Sequence, residues 1–227
     1  FISDFLRRPV TLGLTELLLN GFWYSGTILL ILGAHELGHY LACRYYQVDA
    51  SLPFFIPMPI VLTGTLGAFI KIREPIPTKR KLFDIGIAGP IAGLVIAIPV
   101  LFLGLSLSEL GTIDPNPNSF MEGNSLLYLF AKYVTFGQLL PAPLEPQGFL
   151  YWLRYFFTGG PIPFGGLDVF IHPVAFAGWA GILVTSLNLI PAGTLDGGHV
   201  IYGLFGDKAR KAFPFIVGLL IMFGFFW

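Results

Sequence analysis

Long apolar stretches separated by short polar clusters dominate the pattern of this chain. Four of them stand out, at residues 24–46, 83–107, 172–190 and 212–227. A helix that crosses a bilayer needs about 20 predominantly apolar residues, and the first two stretches reach that length. The pattern predicts an all-α polytopic membrane protein whose crossing segments form a helical bundle.

The edges of these stretches predict further elements. Residues 1–20 mix Arg7, Arg8 and Glu16 with leucines, which favours an interfacial or partly inserted helix ahead of the first crossing. The third core helix should end in a turn rich in proline and glycine, so that helix and turn together occupy residues 172–198. The last stretch, 212–227, stops after 16 residues and predicts the start of a further, truncated helix.

Residues 51–73 combine apolar side chains with prolines that exclude a regular helix. Three prolines fall within residues 53–59. Irregular backbone is tolerated at membrane depth only when it is buried in protein or lines a wet cavity. The stretch therefore predicts a short re-entrant membrane β-hairpin or strand region. From Gly64 onward it can offer an edge on which an extended peptide docks, or it can be a turn that plugs the bundle.

Charge differs between the connections. The connection 44–82 carries six basic residues against two acidic ones, whereas the connection 108–171 carries two basic residues against five acidic ones. Because basic connections stay on the cytoplasmic side, residues 108–171 should form an outer-side connection. Its apolar parts, near 126–140 and 151–157, suit interfacial helices better than crossings.

Composition supports a membrane protein. The chain is 55% hydrophobic and 11% charged, against roughly 25% charged residues in soluble domains. The expected environment is a lipid bilayer, and the zero formal net charge argues against a nucleic-acid partner. Cys43 is the only cysteine, so no intrachain disulfide can form.

The most informative motif lies in the first apolar stretch and reads His35-Glu36-Leu37-Gly38-His39. Residues four apart lie on the same face of a helix, so both imidazoles can reach one metal ion while Glu36 lies beside them. Ionisable side chains in lipid cost several kcal/mol without a partner, and a bound cation supplies one. A polar patch that is hydrogen-bonded to neighbouring helices is the structural alternative.

A zinc hydrolase uses three protein ligands, so the two histidines need a third. Asp196 is favoured because it lies where Pro191 and glycines break the third core helix, on the histidines' side of the membrane. His199 is an alternative ligand. His172 opens that helix at its far end and should act as a cap or interface residue. Cys43 follows the second histidine by one turn and is expected to fill apolar space.

Three motifs resemble those of the site-2 proteases, a family of intramembrane zinc metalloproteases. They are His-Glu-Leu-Gly-His at 35–39, Gly-Pro-Ile-Ala-Gly at 89–93 and Leu-Asp-Gly-Gly at 195–198, in this order. The Gly-Thr-Leu-Asp-Gly-Gly run at 193–198 is similar to that of the bacterial and plastid group. The connection 108–171 is too short and proline-rich for the PDZ domain of many relatives. The glycines of the 89–93 motif are interpreted as helix-packing residues.

The resemblance implies a role for each matching residue. His35, His39 and Asp196 are expected to bind one Zn²⁺ per chain, with Glu36 as the catalytic general base. Asn188 and the strand region are expected to contact substrate, the latter through Gly64, Thr65, Leu66 and Gly67. Residues 1–227 are expected to form a single integral membrane protease domain, with 24–46 as its catalytic helix and 83–107 as its second core helix.

The function that follows is a zinc-dependent intramembrane endopeptidase that cleaves transmembrane helices of protein substrates. Two other classes remain open, a catalytically silent homologue that binds membrane helices and a metal-ion transporter. The multi-pass chain is expected in a bacterial cytoplasmic membrane, with a plastid membrane as the alternative and the active site towards the cytoplasm. The sequence leaves the oligomeric state open.

Overall fold

A computed structural model describes residues 13–58, 63–113, 122–145, 147–160 and 162–226. Contacts divide these residues into two compact units. Unit 1 contains the described residues up to Tyr24 and those from Val100 to Phe176. Unit 2 contains Ser25–Pro99 and the described residues from Ala177 onward. The first 12 residues, 59–62 of the predicted re-entrant region and 114–121 of the predicted outer connection lie outside the described residues.

The described chain is mostly helical. In chain order its elements are α1 (Leu14–Tyr45), β1 (Phe54–Pro57), β2 (Thr65–Phe69), α2 (Lys79–Ser106), β3 (Glu109–Thr112), α3 (Leu126–Phe136), α4 (Phe149–Thr158), β4 (Leu167–Phe170), α5 (Pro173–Asn188), α6 (Asp196–Phe205) and α7 (Asp207–Phe226). Within the described residues, α1 and α2 are long and apolar enough to cross a membrane, while α3 and α5 are apolar but shorter.

Helix α1 begins ten residues before the predicted crossing. It runs without a break for 32 residues. Residues 14–20 therefore belong to the same helix as the predicted crossing and not to a helix of their own, and residues 1–12 lie outside the described chain. Nothing between Leu14 and Tyr24 breaks a helix, and Glu16 lies in the first turn, where the helix dipole favours a carboxylate.

Small residues bring the helices of unit 2 close together. A Cβ built on Gly38 of α1 would lie 2.5 Å from the carbonyl oxygen of Ala88 and 2.7 Å from Cβ of Ala92, both in α2. A Cβ built on Gly181 of α5 would lie 2.7 Å from Cγ2 of Ile31 in α1. Both α2 and α5 therefore pack closely on α1, as small-residue faces allow.

Strands β1 and β2 form an antiparallel two-stranded sheet in unit 2. Phe54 pairs with Phe69 and Pro57 with Thr65, with an irregularity in the register between them. Proline cannot donate a backbone hydrogen bond, which accounts for a short strand with an irregular register. In the described residues this sheet contains no third strand, so each strand keeps one edge that is not paired with another strand.

The predicted outer connection has more structure than the sequence indicates. In unit 1, β3 and β4 form a second antiparallel pair, with Glu109 opposite Phe170 and Thr112 opposite Leu167. Helix α3 is preceded by Ser125, whose side chain accepts a hydrogen bond from the backbone N–H of Tyr128, and is followed by Gly137 with φ of 71°. These features are a standard N-cap and a left-handed C-cap.

The third core segment is two helices rather than one helix and a turn. Helix α5 ends at Asn188, and α6 starts at Asp196. The final helix, α7, begins at Asp207, five residues before the predicted start. The break between α5 and α6 coincides with Pro191 and Gly193, and it places Asp196 in the first turn of a new helix.

Candidate metal centre

Three ionisable side chains converge in unit 2, two from α1 and one from α6. His35 and His39 lie one turn apart, with ring centroids separated by 5.0 Å. Nε2 of His35 lies 3.0 Å from Oδ2 of Asp196, and Nε2 of His39 lies 3.2 Å from Oδ1 of the same carboxylate. The histidine rings are almost fully buried, at 3% and 6% residue exposure.

The spacing of these donor atoms suits a zinc ion. Ligand atoms placed about 2.0–2.1 Å from zinc at tetrahedral angles are about 3.3 Å from one another. The two imidazole nitrogens are 3.3 Å apart, and the two nitrogen-to-carboxylate distances are 3.0 and 3.2 Å. In the part of the chain that the structure describes, these three residues form the one group of histidine, cysteine and acidic side chains arranged to hold a metal.

The hydrogen bonding of His39 also indicates that a cation binds beside its Nε2 atom. Its Nδ1 lies 2.7 Å from the carbonyl oxygen of Ile85. Because a carbonyl oxygen only accepts, Nδ1 carries the proton, and Nε2 of the neutral ring presents a lone pair. That lone pair faces a carboxylate oxygen of Asp196. Two acceptors at this distance need a proton or a metal ion between them, so the residues present fit Zn²⁺.

Glycines place Asp196 beside the histidines. Gly193 has φ of 56°, a left-handed conformation that glycine adopts without strain. A Cβ built on Gly197 would overlap the carbonyl oxygen of Leu189, and one built on Gly198 would overlap that of Gly193. The turn after α5 can therefore fold tightly against the start of α6, and this fixes the position of the carboxylate.

Glu36 lies next to both histidines in α1 and is partly buried. Its carboxylate accepts a hydrogen bond from the backbone N–H of Ile70, the residue that follows β2. The carboxylate therefore lies between the imidazoles and the end of the two-stranded sheet. With a metal ion held by the three ligands, a carboxylate in this position would be able to take a proton from a nearby water molecule.

The other candidate ligands lie elsewhere. Nδ1 of His172 accepts a hydrogen bond from the backbone N–H of Val174, which is a cap at the start of α5. Cys43 is fully buried in an apolar cluster with Val48 and Ile85. His199 lines a cavity of about 420 Å³ formed by the turn after α5 and by α6 and α7, and it is not part of the ligand group.

The predicted substrate-contacting residues lie at two places in unit 2. Asn188 is the last residue of α5. Gly64, with φ of 68°, precedes β2, which contains Thr65, Leu66 and Gly67. The hydroxyl of Thr65 donates a hydrogen bond to the carbonyl oxygen of Ile56 at 2.8 Å, which ties the two strands together. Their contact with substrate stays a prediction.

Comparison with known proteins identifies the family. The model of Peptidase family M50, the site-2 protease family, matches residues 23–226. The chain belongs to peptidase family M50. This confirms the family that the three sequence motifs resemble. No solved structure gives a significant match to the chain.

Curated relatives are named as plastid zinc proteases. The chain is 33% identical over 183 residues to the probable chloroplastic zinc metalloprotease EGY1 of Oryza sativa subsp. japonica. The matched region covers 79% of this chain and 27% of the relative. It is 33% identical over 186 residues to EGY1 of Arabidopsis thaliana, covering 82% and 30%. It is 26% identical over 219 residues to EGY2 of Arabidopsis thaliana, covering 93% and 35%.

These relatives change one expectation and support another. The expectation of a bacterial cytoplasmic membrane is wrong, because the relatives are chloroplastic and point to a plastid membrane. Sequence composition could not reveal this, since an apolar helix has the same signature in either membrane. The expectation of zinc is confirmed by the relatives' names and by the ligand group. The chain spans about a third of the length of these relatives or less.

Two features of the centre were not predicted from the sequence. Ile85 contributes a backbone carbonyl, to which any residue type is equivalent, so no sequence signal could reveal it. Gly89 leaves room for the ring of His39, since a Cβ built there would overlap that ring. The Gly-Pro-Ile-Ala-Gly motif did give a signal, but it was interpreted as helix packing alone.

Proposed function

We propose that this chain is the membrane-embedded protease domain of a zinc endopeptidase in a plastid membrane, which cleaves transmembrane segments of other proteins. The observation that carries the proposal is the convergence of two imidazoles and one carboxylate, with a second carboxylate beside them. His35, His39 and Asp196 would bind the zinc ion, and Glu36 would be the general base. The interpretation of residues 1–227 as one domain stays a prediction.

The metal and the base have separate tasks. A bound zinc ion supplies a Lewis acid that polarises the scissile carbonyl and acidifies nearby water. Glu36 takes the proton from the attacking water and passes it to the amine that leaves. The hydrogen bond from the Ile70 backbone holds the Glu36 carboxylate beside the imidazoles while the proton moves.

Substrate binding is proposed to use backbone groups. The carbonyls of a transmembrane helix are occupied by hydrogen bonds within the helix, so the segment must unwind before hydrolysis. Its freed backbone groups need new partners in a site shielded from water. The sheet edges and Asn188, at the end of α5, are the groups we assign to this task. Leu66 and Gly67 contribute through the backbone of β2.

The architecture is proposed to be polytopic, with the β1–β2 pair as a re-entrant element. Helices α1 and α2 have the length and composition of crossings. The strands carry exposed apolar side chains, including Phe54, Phe55 and Ile56, which suit a position at membrane depth better than one in bulk solvent. A silent helix-binding homologue and a metal-ion transporter are not favoured, because Glu36 stands beside a complete ligand group.

The test is to co-express the chain with a panel of single-span membrane proteins and to measure both cleavage and zinc content. Glu36→Gln should retain zinc and lose cleavage by about 100- to 10,000-fold, the usual contribution of a general base. Asp196→Asn should weaken both zinc binding and cleavage. Glu16→Gln, an exposed glutamate in the first turn of the same helix, and Asp207→Asn, in the first turn of α7, are matched controls.

Undiminished cleavage by Glu36→Gln would show that another group is the base. Full zinc occupancy in Asp196→Asn would remove the third ligand from the proposal. Cleavage that continues in zinc-free protein would exclude a metalloprotease. A chain that binds zinc and cleaves nothing in any panel would support the silent helix-binding homologue.

A further inference from the structure

One face of α2 lies directly under both imidazoles. Ile85, Gly89 and Gly93 follow one another at intervals of four residues and therefore share a helix face. The carbonyl oxygen of Ile85 accepts the hydrogen bond from Nδ1 of His39 at 2.7 Å. The two glycines continue that face for two further turns, beneath the rings of His39 and His35 in turn.

Position 89 has no room for a side chain, because the His39 ring occupies the space where a Cβ would lie. A Cβ built there would overlap Nε2, Cδ2 and Cε1 of that ring, each closer than 3.0 Å. The atom that a methyl group would displace first is Nε2, the nitrogen that faces Asp196. Gly93 is a milder case, since its Cβ would lie 3.2 Å from Nδ1 and 3.3 Å from Cβ of His35.

His39 cannot simply move aside. Its side chain is 8% exposed, and the ring is held on one side by the bond to Ile85 and on the other by the contacts with His35 and Asp196. A methyl group at position 89 would have to turn the ring, which would either break the bond to the Ile85 carbonyl or aim Nε2 away from the carboxylate. The missing side chain therefore sets the direction of the nitrogen.

We propose that Gly89 and Gly93 are positioning residues of the metal centre. The imidazoles of His39 and His35 pack against these two glycines, and this packing fixes the direction of the metal-binding nitrogens. This rests on the proposed function. It assigns to the Gly-Pro-Ile-Ala-Gly motif a role beyond close helix packing, in which Ile85 fixes the tautomer of His39 and Gly89 fixes the orientation of its ring.

The same helix offers a matched control for packing alone. A Cβ built on Gly104 would overlap the backbone nitrogen of Ala175, again closer than 3.0 Å. This glycine therefore packs as tightly as Gly89 does, but against backbone atoms and not against an imidazole. Gly26 of α1 has no atom within 4 Å of a built Cβ and controls for the substitution itself.

The experiment compares Gly89→Ala, Gly93→Ala, Gly104→Ala and Gly26→Ala in the intact detergent-solubilised chain. Three quantities are measured: zinc affinity by competition with a chromophoric chelator, the visible absorption of the Co²⁺-substituted protein, and thermal unfolding after chelation. Zinc affinity of the folded fraction reports the ligands rather than the overall packing, and the cobalt spectrum reports the geometry of the ligands directly.

Gly89→Ala should lower zinc affinity by at least about 10-fold, the loss that follows when a ligand's supporting partner is removed. Its cobalt spectrum should differ from that of the parent. Gly93→Ala should also lower zinc affinity and alter the cobalt spectrum, each by a smaller amount than Gly89→Ala does. Gly104→Ala should lower the unfolding temperature while the folded fraction keeps the parent's affinity and spectrum. Gly26→Ala should keep both the affinity and the spectrum without lowering the unfolding temperature.

Parent-like affinity and spectrum in Gly89→Ala would overturn the proposal. If Gly89→Ala does not fold, Gly93→Ala decides, and a parent-like spectrum in that variant overturns it as well. A parent protein that binds neither zinc nor cobalt would contradict the proposed function itself. If the parent binds metal and cleaves substrate, and Gly89→Ala has the parent's affinity and spectrum, this inference alone is contradicted and the proposed function stands.

Discussion

Each of the two units buries a cluster of ionisable side chains, and the two clusters are completed in different ways. In unit 1, the side chain of Lys132 is 2% exposed, and its Nζ lies 3.3 Å from Oδ1 of Asp168 and 4.7 Å from the ring centroid of Tyr128. The Tyr128 hydroxyl donates to Glu122 at 3.4 Å. We call these four residues the lysine cluster. It contains its own cation.

The ligand cluster of unit 2, formed by His35, His39 and Asp196, contains no fixed cation. Among the described residues, the ion-pair partners of Asp196 are the two histidines, which are charged only when protonated. A buried charge that already has its partner is structural, whereas one that faces lone pairs is arranged for something that binds. An aspartate thus stabilises the fold in unit 1, through its pairing with Lys132, and in unit 2 an aspartate is proposed to bind metal.

The largest effect on stability is expected from the lysine cluster. Lys132→Met should lower the free energy of unfolding by about 3 kcal/mol, the lower end of the range for a buried pair, because it leaves the partly buried carboxylate of Asp168 without its partner. Detergent or thermal unfolding measures this, with the exposed Lys208→Met as control. Zinc affinity of the folded protein should not change. If Lys132→Met lost zinc affinity without losing stability, the structural role would not belong to the lysine cluster.

The ligand cluster should depend on metal instead. Removing zinc with a chelator should lower the stability of the parent by about 2.7 kcal/mol, relative to protein held at zinc 100-fold above its dissociation constant. In Asp196→Asn this difference should be clearly smaller over the same zinc range, because zinc binding is weakened, while Asp207→Asn should keep it. The measurement is the unfolding midpoint with and without chelator. An equal shift in Asp196→Asn and the parent would contradict the assignment.

A smaller, pH-dependent effect should come from Glu122. Burial raises the pKa of this carboxyl above its ordinary value near 4.5, and burial also lowers the pKa of the Lys132 ammonium. Folded Glu122 therefore holds its proton to higher pH than unfolded Glu122 does. Its contribution to stability is present below the unfolded pKa and is lost as pH rises through the raised folded pKa.

Glu122→Gln should flatten this part of the profile, when unfolding is followed from about pH 4 to 8 in chelated protein so that zinc adds no pH dependence. The exposed Glu109→Gln should keep the parent profile. A stability difference between the parent and Glu122→Gln that rises with pH or stays constant would mean that Glu122 does not titrate as a buried carboxyl.

The smallest effect is expected away from both clusters. Gly26→Ala places a methyl group on α1 where no atom lies within 4 Å, and it should raise the free energy of unfolding by up to about 1 kcal/mol through helix propensity. Unfolding of the chelated protein measures it. This value is the baseline against which the substitutions in the clusters are compared, and a clear destabilisation would indicate a contact at that face.

The sequence predicts the ligand cluster better than the lysine cluster for a physical reason. His35 and His39 are local to one helix, so their spacing alone places them together, and Asp196 is marked by a broken helix in an apolar context. Lys132 lies in α3 and Asp168 in β4, with helix α4 between them in the chain, and no motif links the two residues. Their pairing is a property of the tertiary fold and has no local signature.

The fold shows the same division between local and distant information. The apolar run of α2 is evident from the sequence, and its start differs by four residues from the prediction. Strands β3 and β4 were missed because each has four residues and they pair across more than 50 intervening positions. Helix α6 was missed because Gly197 and Gly198 lower helix propensity at its start, while contacts with the preceding turn stabilise it there.

The most direct test of the central claim is zinc K-edge X-ray absorption of the intact, zinc-loaded protein. The arrangement of His35, His39 and Asp196 predicts two imidazole nitrogens at about 2.0–2.1 Å and carboxylate oxygen at about 2.0–2.2 Å, with no sulfur. Asp196→Asn should alter the oxygen shell and keep both imidazoles. A sulfur shell near about 2.3 Å, or a third imidazole, would contradict the account by bringing Cys43 or His199 into the site.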